Sequence, residues 1–216
     1  MSETLSSLLR EAARLKREGR RLRACLIVKN RGSTPQSAGS LMLVDDAAQM
    51  RGTVGGGCVE AEVRRRAHEM IAADATGVFT FKLDSDYGWD DGLICGGTID
   101  VAIGRLPDAS TLESIAHTLD AREHTRLDLF VENEHGPMRY VFDLPPRPRL
   151  LIAGAGHIGA AVARHAARME FAVTLFDDRA DLLERITLPG VRTVAGEIAD
   201  SLRAASIDHD TYCVVV

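Results

Sequence analysis

The segment LLIAGAGHIGAAVARHAARMEFAVTLFDDR, Leu150 to Arg179, constrains the fold of this chain more than any other. An apolar strand runs into Gly154, Gly156 and Gly159 in the pattern G-x-G-x-x-G. A helical stretch follows, then a second apolar strand ending in Asp177. The first glycine permits a tight turn, the second lets the backbone approach a pyrophosphate at the helix N-terminus, and the third lets helix and strand pack closely. An acid about 20 residues further on would bond a ribose hydroxyl, so Asp177 joins the three glycines as a candidate nucleotide ligand. The expectation is a Rossmann-like parallel-sheet domain over residues 149–216, binding NAD(P) or another nucleotide. The bland alternative is the same scaffold kept for packing, because fold does not fix function. His157 lies inside the turn, where a helix N-terminus disfavours a protonated imidazole, so it reads as a neutral hydrogen-bonding or packing residue. After VRTVAG the chain reaches YCVVV as its fourth strand, whereas a six-stranded dinucleotide fold needs two βαβαβ halves. The domain is therefore expected to be truncated, with the far wall of its crevice missing.

PPRPR, Pro145 to Arg149, has the stiffness and polarity of a linker, and the pattern before it differs. TLSSLLREAARLKREGRR places Leu5, Leu8, Leu9, Ala12 and Leu15 at helical spacing, with Gly19 as a stop. RACLIVKN and LMLVDD read as strands separated by the loop RGSTPQSAGS, and Asp45-Asp46 marks a turn. CVEAEVRRRAHEMIAADA reads as a helix. GVFTFKL and GTIDVAIGRL read as strands flanking the irregular DSDYGWDDGLICG, and STLESIAHTLDA, RLDLFV and MRYVFDL add a helix and two strands. Residues 1–144 are expected to form a mixed α/β domain.

A chain of 216 residues allows one large domain or two small ones, either with a real core, and two are expected. A formal charge of −5 and a pI near 5.8 argue against nucleic acid or an anionic membrane surface as the main partner. No apolar run approaches the roughly 18 residues of a spanning helix, and Met1-Ser2-Glu3 opens no signal peptide, so the expected location is the cytoplasm. Cys25, Cys58, Cys95 and Cys213 are widely separated and are expected to be thiols, with Cys25 and Cys213 in the core of strands.

RGTVGGGCVEAEVRRR, Arg51 to Arg66, poses a different question, because glycine gives up the most backbone entropy on ordering and three stand in a row. Gly55, Gly56 and Gly57 leading into a helix resemble an anion site, where bare backbone N–H groups meet a phosphate or oxyanion. Cys58 stands in the same field. A thiol at a helix N-terminus has a lowered pKa, which fits a soft-metal ligand, although a small buried hydrophobe beside a turn is an equal alternative. Cys95 repeats the arrangement with Gly96 and Gly97 beside it, which suggests two thiols reaching one site. Glu60 lies in the first helical turn, where the dipole favours an acid in any case.

Other readings fail. DSDYGWDDGLIC has the acids of a calcium loop, but its glycine is one place early and Cys95 stands where the bidentate Glu belongs. The histidines and cysteines make no zinc-ligand spacing. Arg64-Arg65-Arg66 reads as a solvated helix face, and otherwise as a landing patch for an acidic partner.

GSTPQSAGSLMLV, RGTVGGGCVEAEV, YGWDDGLICGGTIDV and LLIAGAGHIGAAVARHA together resemble, in that order, the XdhC/CoxI family of xanthine dehydrogenase accessory proteins. The resemblance implies a maturation factor that binds molybdenum cofactor (molybdopterin), protects it during sulfuration and delivers it to a xanthine dehydrogenase-type hydroxylase. A cysteine desulfurase is a further expected partner, and a homo-oligomer the expected assembly. Matched by motif, Gly55, Gly56, Gly57, Cys58, Glu60, Cys95, Gly96 and Gly97 are the cofactor-binding positions, with Cys58 and Cys95 toward the metal and Ser33, Thr34 and Gln36 as weaker candidates. The competing functions are an NAD(P)-dependent oxidoreductase, for which no hydride-site acid or base is placed by motif, and a nucleotide-sensing regulatory module.

Overall fold

The computed structural model describes residues 4–83, 96–133 and 136–216. Contacts divide the chain into two compact units, Leu5–Leu144 and Pro145–Val216, the second of which also includes Thr4.

The first unit is organised by a strand buried on both faces. β1 (Leu22–Arg31) and β2 (Leu41–Asp45) are apolar at consecutive positions, and a strand's period of two sends alternate side chains to opposite sides. Ala24, Leu26, Leu41 and Leu43 face α1 (Leu5–Arg17) and α3 (Ala109–Asp120), while Cys25, Ile27, Met42 and Val44 face Val59, Val63, Ala67 and Ile71 of α2 (Gly57–Ala72). With β3 (Met50–Gly52), β4 (Gly77–Lys82) and β5 (Thr98–Gly104), the sheet runs β3-β2-β1-β5-β4, every pair antiparallel. The result is a sheet sandwiched between helices.

A hairpin of β6 (Thr125–Asn133) and β7 (Gly136–Leu144) completes the α1/α3 side with Leu127, Leu129, Val131 and Leu144. It approaches the sheet closely. A Cβ on Gly104 would stand 2.7 Å from Leu129 Cγ and from the Phe130 carbonyl oxygen, and Arg105 and Phe130 exchange backbone hydrogen bonds of 2.8 and 2.9 Å. The turn after β2 forms as its acids suggest, because Asp45 Oδ1 accepts from the N–H groups of Ala47 and Gln49.

The second unit alternates strand and helix: β8 (Arg149–Ala153), α4 (His157–Arg168), β9 (Ala172–Asp177), α5 (Ala180–Glu184), β10 (Val191–Ala195), α6 (Ile198–Ala204) and β11 (Thr211–Val215). All pairs are parallel, in the order β10-β9-β8-β11. Numbered within the unit this is 3-2-1-4, the order with which a doubly wound dinucleotide fold begins. Gly159, Ala163 and Ala166 of α4 are small enough to lie on Leu150, Ile152, Val173 and Leu175. Cys213 departs from its expected place in the core. It is exposed, because β11 is the edge of this sheet and pairs only with β8.

Candidate functional site

The three consecutive glycines have a conformational cause. Gly55, Gly56 and Gly57 take φ values of +130°, +80° and +61°, a run in left-handed space that residues with a Cβ adopt only under strain. Gly55 also lies against the preceding motif, since a Cβ there would be 2.8 Å from Pro35 Cγ. Gly97 does the same on the other side, where a Cβ would be 2.8 Å from Thr34 Cγ2 and from the Arg31 carbonyl oxygen, and Ser33 bridges Gly96 in parallel. Loops 33–36, 53–57 and 96–97, far apart in sequence, therefore meet at one end of the five-stranded sheet.

The first of these loops is shaped by its own side chains. Asn30 Nδ2 donates to Thr34 Oγ1 at 3.2 Å, its Oδ1 accepts from the Ala38 N–H, Thr34 Oγ1 donates to the Gln36 carbonyl at 2.9 Å, and Gln36 Oε1 accepts from Ser40 Oγ. Thr34 and Gln36 act here as internal struts, and Asn30, which sequence reasoning passed over, is the residue that joins them to β1.

Glu60 points inward. Its Oε2 accepts from Thr53 Oγ1 at 2.6 Å, from the Gly56 N–H at 3.1 Å and from the Val54 N–H at 3.3 Å, and Thr53 Oγ1 accepts from the Gly55 N–H at 3.1 Å. A carboxylate of the chain itself thus fills the concavity that the bare backbone makes, and three loop N–H groups already have acceptors. Other faces of the loops stay open. A Cβ added to Gly56, Gly57 or Gly96 would meet no heavy atom within 4 Å.

Cys58 is half-buried at the second residue of α2, beside those open faces. Residues 84–95, Cys95 among them, lie outside the described residues, so the expected pairing of the two thiols is not placed. Cys25 is fully buried, and burial pushes its thiol well up, which makes it inert. Of the three consecutive arginines, Arg65 pairs with Glu62 and Glu69, and Arg66 pairs with Glu62 while stacking 4.8 Å from the Phe79 ring and 5.2 Å from that of Phe81. These two are helix-face ion pairs.

In the second unit each glycine of the turn has its own environment. Gly154 has φ +109°, and a Cβ there would meet the Val216 carbonyl. A Cβ on Gly159 would be driven into the carbonyl of Gly154, which is what close helix–strand packing requires. Gly156, the N-cap of α4, has nothing within 4 Å of an added Cβ. Its face is the one left for a ligand to approach.

Asp177 ends β9, but both its oxygens are occupied. Oδ2 accepts from the Ala155 N–H at 2.6 Å and Arg179 Nη2 at 2.9 Å, and Oδ1 accepts from the Arg179 N–H at 3.0 Å and Arg179 Nε at 2.8 Å. The Arg179 guanidinium holds the carboxyl far below the usual carboxylate range, burial opposes it, and the Ala155 N–H reinforces it. Asp177 therefore braces the glycine turn from behind. Arg179 was missed in the sequence, where its one signal is a cation two places after a strand-ending acid.

The family model that matches the chain, described as the XdhC and CoxI family, covers residues 15–82. That stretch of the chain is similar to the XdhC and CoxI family. The matched stretch contains two of the three converging loops, those of Ser33–Gln36 and Gly55–Glu60. A curated relative, "Uncharacterized protein YqeB" of Escherichia coli strain K12, is 24% identical over 211 residues, which is 97% of this chain and 32% of the relative. The chain thus spans about a third of that relative's length. A solved Bacillus halodurans structure, described as a xanthine dehydrogenase, superposes with a TM-score of 0.75 at 19% identity over 96% of this chain and 74% of that one. That likeness establishes a shared two-unit α/β fold. Among the described residues, no helix is long and apolar enough to cross a membrane.

Proposed function

We propose that the chain is a maturation factor for a xanthine dehydrogenase-type enzyme, and that the three-loop cluster of the first unit holds molybdenum cofactor for sulfuration and delivery. The observation that carries this reading is the convergence of the Ser33–Gln36, Thr53–Cys58 and Gly96–Gly97 loops around open glycine faces. The residues fit the group in two respects. Cys58 offers a half-exposed soft ligand for a thiophilic metal, and Gly56, Gly57 and Gly96 leave room for a bulky pterin. They narrow the fit in a third, because Glu60 already occupies the loop donors first assigned to the cofactor's phosphate. A xanthine dehydrogenase-type hydroxylase and a cysteine desulfurase are the partners this role requires.

The test is copurification. Full-length protein isolated from cells that make the cofactor should carry molybdenum, read by elemental analysis, and pterin, read by fluorescence after oxidation. Cys58→Ala should lose metal more than pterin. Wild-type protein carrying neither overturns the reading.

A second reading concerns the Pro145–Val216 unit and rests on the open face of Gly156 at the N-terminus of α4 in a 3-2-1-4 sheet. It assigns this unit a nucleotide such as NAD(P), with the glycine turn as the contact and Asp177 as its brace. Calorimetric titration of the chain with NAD and NADP tests it.

A further inference from the structure

The second unit has another concavity at the opposite end of its sheet. Parallel strands place all their N-terminal ends together, and residues preceding β8, β9 and β10 meet the C-terminal half of α4 there. The resulting cleft has a volume of about 680 Å³. Arg147, Arg164 and Arg168 line it, with Ala167, Leu188 and Pro189 as apolar lining and Glu170 as the acid among them. We propose that this cleft is a binding site for a small anion bearing two or more phosphate or carboxylate groups.

Size and charge carry the proposal. The volume lies within the roughly 300–1,000 Å³ of small-molecule sites. Three guanidinium groups oppose one carboxylate, in a chain whose formal charge is −5. Arg164 and Arg168 are one helical turn apart on the same exposed face and make no ion pair or hydrogen bond among the described residues, whereas Arg179, Arg185 and Arg203 of the same unit each pair with an acid. The helix dipole accounts for a cation at Arg168, in the last turn of α4, but its influence fades before Arg164. Arg147 is held in place, with Nε donating to the Glu170 carbonyl at 2.7 Å and Nη2 to the Phe171 carbonyl at 3.3 Å. Arg164 and Arg168 each carry a planar guanidinium fork whose paired N–H donors match a carboxylate or phosphate edge, while Arg147 adds fixed charge. The apolar lining accommodates the carbon skeleton between the charged ends.

The experiment is calorimetric titration of the full chain with inorganic pyrophosphate, with citrate and with hexaglutamate. Binding of one equivalent of pyrophosphate or of citrate is expected, and the two arms separate a phosphate from a carboxylate ligand. The Arg164→Gln/Arg168→Gln double variant should weaken that binding by about tenfold or more, because it removes two charge-assisted partners. Arg164→Lys/Arg168→Lys, which keeps the charge and loses the fork, should fall between them. Circular dichroism verifies that both variants fold. An unchanged affinity in the Gln variant, many weak equivalents in place of one, no binding of either small anion, or binding of hexaglutamate alone each overturns the proposal.

Discussion

Glu60 reaches back across the first turn of α2 and accepts a hydrogen bond from the Thr53 hydroxyl at 2.6 Å, which closes the glycine loop around a carboxylate from the chain itself. The same oxygen serves the N–H groups of Val54 and Gly56. The loop is thus built as an anion receptor and is already satisfied from within.

Glu60→Ala should therefore destabilise the first unit by about 0.5–1.5 kcal/mol, because the half-buried carboxylate serves donors that water can partly reach once it is gone. Inorganic phosphate should then raise the melting temperature of the variant more than that of the wild type, since removing the carboxylate frees the Val54 and Gly56 donors. Glu60→Gln keeps one carbonyl acceptor and should fall between the two. A phosphate response in wild type equal to that of the variant would show that the carboxylate does not fill the site.

Asp177 predicts an acid-sensitive second unit. Its folded pKa is depressed, chiefly by Arg179, so its contribution is fully present above the ordinary unfolded value of about 3.9 and is lost as pH falls below that toward the folded value. Wild-type stability should decline through this acid window. Asp177→Asn should be less stable at neutral pH and show a shallower decline, as measured by denaturant unfolding at a series of pH values.

The cysteines should separate by accessibility. Native-state maleimide labelling, mapped by peptide mass, should modify exposed Cys213 and half-buried Cys58 and leave Cys25 untouched until the protein unfolds. Labelling of Cys25 under native conditions would contradict its place between β1 and α2.

What the sequence disclosed and what it hid follow from periodicity. The helical spacing of Leu5, Leu8, Leu9 and Ala12, and the apolar runs of β1, β2, β8 and β9, are set by burial over several residues, so they are readable one letter at a time. β3 was not, because its three residues Met50–Gly52 are too short to show a period. The gathering of the motif loops was legible only as a list of motifs. The direction of Glu60 was not legible as such, although an acid in a first turn reaching back toward the N-cap is a known arrangement. Cys213 misled because an apolar strand looks the same at the edge of a sheet as at its centre.

The last prediction separates a glycine needed for packing from one needed for approach. In the turn after β8, a Cβ on Gly159 would be forced into the Gly154 carbonyl, whereas one on Gly156 would meet nothing within 4 Å and its backbone, at φ −62°, suits any residue. Gly159→Ala should therefore destabilise the unit by roughly 1–3 kcal/mol or more through overpacking. Gly156→Ala should leave the melting temperature almost unchanged. If a nucleotide phosphate lies at the N-terminus of α4, however, the added methyl stands where it must come, and Gly156→Ala should weaken NAD or NADP titration while stability holds. Equal loss of stability in both variants would mean that Gly156 serves the fold alone.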